Sequence, residues 1–263
     1  MFDVTKMRHS GPTLDLEYHL CPWDRPILGL ESASISSLTL RKDERGAQEF
    51  GIFRQWCAEN KVKLVSCRMP HDDISGIGFL EGQGFRFIEL NYHPRRDGLN
   101  DFRADRLVDF RKVSQEDEDG LVALARETFD FGRFHADPMI GARLGNMRYA
   151  AWMRNAFRAP HQSVLEFLFE GHRIGFAVVE APSPTERFWS LIGLAASHRG
   201  RGLGRRIWNA LLAYHCVEGV RSVSTSISSL NVPVLNLYAA LGFRFPAPTV
   251  TLHWCPFGPL EVI

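Results

Sequence analysis

The residues best placed to do chemistry are Arg199, Gly200, Arg201, Gly202, Leu203 and Gly204, which stand between an apolar run ending at Leu194-Ala195 and a helical pattern over 204–217. Glycines let successive backbone N–H groups turn into one concavity. The start of a helix adds the positive end of its dipole, so the segment suits a pyrophosphate. Arg199, Arg201, Arg205 and Arg206 supply counter-charge. A flexible, arginine-decorated turn is the alternative. A dinucleotide-binding unit would want an acidic residue about 20 positions on, and Glu218 comes too early, in a turn. A Walker loop would need Gly-Lys-Ser/Thr, which is absent.

Further on, Asn231 precedes Val232-Pro233, a pairing that suits a helix N-cap and first turn, or an amide offered to a ligand. The histidines form no ligand set. His135-x-Asp137 lacks further donors at metal spacing and H-E-x-x-H does not occur, so no metal is expected.

The elements that must position these residues read as mixed α/β. In the first half, apolar periodicity predicts strands over 13–20 and 33–40, a helix over 45–60, a strand over 62–67, a helix over 74–83 and a strand over 86–92. The charged stretch 94–105 reads as a linker. The second half opens with a strand over 108–113 and a capping box, Ser114 with Asp117. Helical spacing continues through Tyr149, Trp152, Met153, Ala156 and Phe157. Strands over 164–169 and 174–181 flank a turn at Gly171-His172, followed by strands over 188–195, 222–227 and 249–254 and a helix over 232–240. Two domains are expected, 1–105 and 106–263.

The chain has 263 residues, 45% apolar and 23% charged, values that exclude disordered, collagenous and disulfide-scaffold classes. With 31 basic against 30 acidic side chains the net charge is +1, too balanced for a protein that coats nucleic acid or anionic lipid. Cys21, Cys57, Cys67, Cys216 and Cys255 are scattered, with no C-x-x-C pair. No apolar run approaches the roughly 18 residues of a membrane span, and the first ten residues lack a signal-peptide core. A soluble, cytoplasmic protein is expected, with no nucleic-acid or membrane partner.

An internal comparison adds to this. Residues 62–87 align without gaps on 220–245, at an offset of 158, with Gly84-Phe85-Arg86-Phe87 repeated as Gly242-Phe243-Arg244-Phe245. The halves read as copies of one strand-helix-strand unit, or as a chance recurrence of a helix stop and strand start.

Arg199, Gly202 and Gly204 after a strand and before a helix resemble the R/Q-x-x-G-x-G/A signature of the GNAT acyl-CoA N-acetyltransferases. Asn231 and the run Tyr238-Ala239-Ala240-Leu241-Gly242-Phe243 resemble that family's downstream segment. The resemblance covers roughly 108–254. Ala196 departs from it, since many members carry Pro there. More loosely, Trp23-Asp24, Leu28-Gly29, Arg133-Phe134-His135 and Tyr149 to Trp152 are similar to the dTDP-fucosamine acetyltransferase group, which pairs a degenerate first GNAT-like half with a complete second one.

The resemblance implies tandem GNAT-like domains, the first degenerate, and an enzyme moving acetyl from acetyl-CoA to the amine of a nucleotide-linked amino sugar. A GNAT enzyme of another small amine (an aminoglycoside, a polyamine or a protein N-terminus) and a non-catalytic acyl-CoA-binding module stay open, as does a homodimer. It further implies main-chain contacts to the donor at Leu194 and Ala196, cofactor contacts along 199–205 and at Asn231, and Tyr238 as general acid. A phenol of pKa about 10 can protonate a departing thiolate of about 8.5. Tyr238 also fits as a core aromatic, three apart from Leu235 and Leu241. No general base stands out among Glu180, His198, His135 and Asp137. Phe131 to His161 carries five arginines against one carboxylate, and Arg133, His135 and Arg158 are the expected contacts to a diphosphate acceptor, solvated helix positions being the alternative. Under the 158 offset the glycine loop falls on 41–46, where carboxylates replace glycines, so acetyl-CoA is expected in the second half alone.

Overall fold

A computed structural model of the protein describes residues 4–41 and 46–256. These fall into two compact units. The first takes residues up to Asn91, Arg133–Leu144 and those from Ala247 on; the second takes Tyr92–Gly132 and Gly145–Pro246.

In the first unit β1 (Met7–Ser10), β2 (Leu14–Leu20), α1 (Arg25–Leu28), β3 (Glu31–Leu40), α2 (Gly46–Glu59), β4 (Val62–Pro70), α3 (Ile74–Gly82) and β5 (Arg86–Tyr92) follow one another. Next come β6 (Arg95–Asp97), β7 (Val108–Lys112), α4 (Glu118–Thr128), α5 (Arg133–Ala136), α6 (Ala142–Arg158), β8 (Gln162–Phe169), β9 (His172–Ser183) and β10 (Glu186–Leu194). The chain then forms α7 (Leu203–Val217), β11 (Ser222–Thr225), β12 (Ile227–Ser228), α8 (Val232–Ala240) and β13 (Thr249–Trp254). The fold is mixed α/β with two mixed sheets. No helix among the described residues is long and apolar enough to cross a membrane.

Three readings of the sequence are corrected. The stretch 94–105 is not a structureless linker, because Arg95–Asp97 is a strand paired with β11. The capping box does not form: Ser114 makes no side-chain cap bond, a 3-10 turn intervenes, and the Asp117 carboxylate pairs with Arg173 at 3.0 Å. The hairpin turn falls one residue early, on Glu170-Gly171, both with positive φ of 52° and 80°, the backbone a two-residue type I′ turn demands. Residues 42–45, which include the expected start of α2 and most of the first-half counterpart of the glycine loop, lie outside the described residues.

Each sheet is built on a parallel pair. In the first unit β3 runs parallel to β4, with β2 and β1 antiparallel beyond β3 and β13 antiparallel on the far side of β4, next to β5. In the second unit the order is β6-β11-β10-β9-β8-β7, only β10 and β11 being parallel. One face of the first sheet sends Ala33, Ile35, Val65, Cys67 and Leu252 into a core with Phe50 and Phe53 of α2 and Leu80 of α3. The larger of these, Ile35, Val65, Leu80, Leu252, Phe50 and Phe53, contribute about 1.5–3 kcal/mol each by leaving water. In the second unit Trp189, Phe167, Ile207 and Leu211 centre one cluster, and Leu121, Ala125, Met153 and Phe176 another.

The 158-residue offset governs the pairing itself. Val65 and Ser66 of β4 stand opposite Trp254 and His253, while Val223 and Ser224 of β11 stand opposite Arg96 and Arg95. His253 also faces Arg86, and Arg95 faces Arg244. Every one of these partners lies 158 positions from its counterpart, so β6 and β13 are equivalent strands. Each copy of the duplicated unit places that strand in the sheet of the other copy.

Candidate active site

The second sheet opens where β11 parts from β10. The two pair only over Glu186–Trp189 of β10, with Trp189 opposite Thr225, and a bulge between Trp189 and Leu191 marks the parting. On the other side β10 stays bonded to β9 as far as Leu194. Antiparallel ladders alternate bonded and non-bonded pairs. Ala195 N–H donates to the Ile174 carbonyl at 2.9 Å, so Leu194 and Gly175 form a non-bonded pair. The N–H and C=O of Leu194, and of Ile192 two residues earlier, therefore face the edge that β11 leaves bare.

A cavity of about 310 Å³ lies along that edge, between the end of α4 at Thr128–Phe131 and the first turn of α8 at Asn231, Pro233 and Val234, with Gly200, Gly204 and Trp208 also on its wall. Gly193 and Gly175 explain the close fit. A Cβ on Gly193 would come within 2.3 Å of the Thr128 methyl, and one on Gly175 within 2.4 Å of the Gly193 carbonyl. Gly200 and Gly202 adopt φ of 73° and 74°, the left-handed region glycine permits, and α7 begins directly after them. Loop N–H groups and helix dipole thus converge as an anion site requires. Arg201 and Arg205 are exposed and have no ion pair among the described residues.

The other arginines are engaged. Arg199 turns inward: its Nε donates to the Leu194 carbonyl at 3.2 Å, one Nη meets the Asp130 carboxylate at 3.0 Å, and the other bonds the Thr128 carbonyl. Arg206, read from sequence as counter-charge, instead forms a two-point bond to Asp105 at 2.7 and 2.8 Å. Asn231 makes no side-chain cap bond, so its amide stays available to the cavity it lines. Ala196 lies past the open edge in a 3-10 turn, its carbonyl accepting from Arg199 N–H at 3.2 Å.

Tyr238 is only 1% exposed and is not on the cavity wall. It packs edge-on against Phe243 at 4.8 Å. Burial pushes its phenol up to about 12, the neighbouring Trp208 and Thr225 side chains offsetting part of the rise. The hydroxyl thus sits by Thr225, the last paired residue of β11, where the strands part.

The expected acceptor contacts are not gathered at this cavity. Arg133 and His135 belong to the first unit, where Arg133 lies 3.7 Å from Asp24 and over the Phe134 ring. Arg158 bonds Glu118 at 2.9 Å, a carboxylate shared with Arg154 at 3.7 Å. Of the base candidates, Glu180 stands opposite Phe188, about 20 Å along the strand from Leu194 at roughly 3.3 Å per residue. His198 bonds Ser197 at 2.9 Å. Asp137 is fully buried in the first unit against His253, at 2.8 Å. Among the described residues no group of three or more His, Cys, Asp and Glu is arranged to hold a metal. Sequence reasoning missed Thr128, Phe129 and Asp130 as a wall; a glycine inside a strand, Gly193, was the available signal.

Residues 124–243 match the acetyltransferase (GNAT) family. Over 102 residues the chain is 31% identical to the mycothiol acetyltransferase of Corynebacterium glutamicum, a stretch covering 38% of this chain and 32% of that protein, so the chain spans about a third of the curated relatives it matches. Among solved structures, a GCN5-related N-acetyltransferase from Sphaerobacter thermophilus shares the fold with a TM-score of 0.65 at 14% identity, over 95% of this chain and 83% of that one. A tandem GNAT protein from the clavulanic acid biosynthesis pathway does so with 0.60 at 19%, over 95% and 82%. The family match lies within the second half of the chain, over residues 124–243.

Proposed function

We propose that the protein transfers acetyl from acetyl-CoA to the primary amine of a small molecule, with the donor held in the second unit. The observation that carries this reading is the bare edge of β10 ending at a left-handed glycine loop and a helix start. The N–H groups of 200–204, with Arg201 and Arg205, suit the donor's phosphates, and the N–H and C=O of Ile192 suit the amides of its arm.

In the transfer the amine nitrogen forms a bond to the thioester carbon, the carbonyl oxygen gains the electron pair, and the C–S bond then breaks. Leu194 N–H is placed to donate to that oxyanion. The amine loses a proton to water or a base, and the thiolate gains one. Tyr238 is our candidate for that second proton, on the strength of its hydroxyl's place where β10 and β11 part.

For the acceptor we propose an amino sugar linked to a nucleotide. Its support is the arginine-rich segment 131–161. The pairing of Arg154 and Arg158 with Glu118 favours a second reading, an amine without a diphosphate. A coupled assay of CoA release with glucosamine and with its nucleotide-linked form tests both: faster turnover of the linked sugar supports the first, equal turnover the second, and no CoA release with any amine sinks the transferase reading.

A further inference from the structure

The first unit buries a polar face. Opposite the core face of β3, β4, β13 and β5 lie Ser34, Ser66, His253 and Arg86 in one row across the strands, and Arg68, Thr251 and Glu89 in the next. Ser66, Thr251, Glu89 and His253 are 6%, 1%, 2% and 0% exposed. A sheet face buried this deeply is normally apolar.

Its hydrogen bonds are incomplete, chiefly on the acceptor side; one buried donor, the Nε of Arg133 beside Asp24, also lacks a partner. His253 Nδ1 is 2.8 Å from Asp137, which also accepts from Met139 N–H at 2.9 Å. The carboxylate fixes the proton on Nδ1 and leaves Nε2 an acceptor, and that Nε2 has no partner among the described residues. Glu89 Oε1 is 3.7 Å from Arg68, while its Oε2 has none. Asp24 accepts from Ser32 at 3.3 Å through one oxygen, and the other is bare. Three buried acceptors, two of them on carboxylates, therefore lack donors. Each such group costs about 1–3 kcal/mol, more where charged, a cost a folded chain sustains where a partner arrives from outside. Arg68 and Arg86, on the same face, are 40% and 42% exposed, so the face reaches solvent.

We infer that this face binds a small molecule rich in O–H and N–H donors, with the chemistry of an aminated sugar. It is a binding site of the first unit alone and stands without the transferase reading above. Apolar amines are poor matches, since they leave two of the three acceptors unmet.

The test is calorimetric titration of the full chain with D-glucosamine, without acetyl-CoA, against cyclohexylamine as an amine lacking hydroxyls. We expect saturable glucosamine binding at least tenfold tighter than that of cyclohexylamine, and a further tenfold weakening in Glu89→Gln. Ser66→Val adds methyl groups to the same face without touching a charge and keeps the test available should Glu89→Gln misfold; the same weakening is expected. Absence of glucosamine binding, or equal affinity in wild type and Ser66→Val, overturns the inference. Neither result bears on acetyl transfer, which is read by CoA release.

Discussion

The guanidinium of Arg199 closes on the carbonyl of Leu194, 3.2 Å from its Nε. The residue that leads the glycine loop is thereby a strut between strand edge and α4, and Arg201 and Arg205 are left as the loop's exposed charges. Replacing both of these with Ala is expected to raise the KM for acetyl-CoA roughly tenfold and flatten its salt dependence, since paired phosphate contacts are screened by salt. Arg199→Ala is expected to raise KM with the salt slope intact. KM measured at two ionic strengths separates the cases, and identical slopes in all three proteins would refute the assignment.

Tyr238→Phe keeps the ring against Phe243 and deletes the hydroxyl. If the phenol protonates the leaving thiolate, kcat falls about 10²-fold with acetyl-CoA affinity unchanged. If Tyr238 is only a core aromatic, turnover is normal and stability shifts by about 1 kcal/mol. Steady-state kinetics beside urea unfolding decide it.

The buried pair in the first unit makes the fold acid-sensitive. Burial holds His253 down at about 4, against the upward pull of Asp137. Unfolding frees the imidazole to take a proton at its ordinary 6.5, so stability is lost as the pH falls from about 6.5 to 4, by roughly 3 kcal/mol at most. Asp137, opposed by burial yet held below its usual range by His253, Met139 N–H and Arg86, adds to the loss below about 4. Urea midpoints at pH 7, 5.5 and 4.5 should fall in wild type and change less in His253→Gln; parallel declines would exclude His253 as the source.

A chain ending at residue 246 lacks β13, the strand that bonds both β4 and β5. We expect the first unit to lose amide protection over Val62–Tyr92 while the second keeps its own, and a synthetic peptide of residues 247–256 to restore it. Unchanged hydrogen exchange over β4 and β5 in the shortened chain would contradict the pairing.

Much of this was legible in the sequence. Apolar runs located β2, β3, β4 and β10 because each sends a row of side chains into a core, and the glycine loop announced α7 because few residues tolerate its backbone. Short charged segments were not: β6 is Arg95-Arg96-Asp97, three residues with no apolar period, recognisable only by the strand it joins. The Asp137–His253 pair joins residues 116 apart, beyond any local pattern. Arg199 and Arg206 carry the same charge in sequence, and only their neighbours Asp130 and Asp105 show that neither guanidinium is free.

Because β13 is the last strand made of those the first sheet uses, that sheet stays open while everything from Tyr92 to Pro246 is synthesised. Until Thr249–Trp254 has emerged, β4 and β5 expose unpaired edges of the kind that recruit foreign strands. The second sheet closes sooner, when its own last strand, β11, emerges between β6 and β10. On the ribosome the unit that begins first is therefore the one that finishes last, and its nascent form is where a chaperone would be needed.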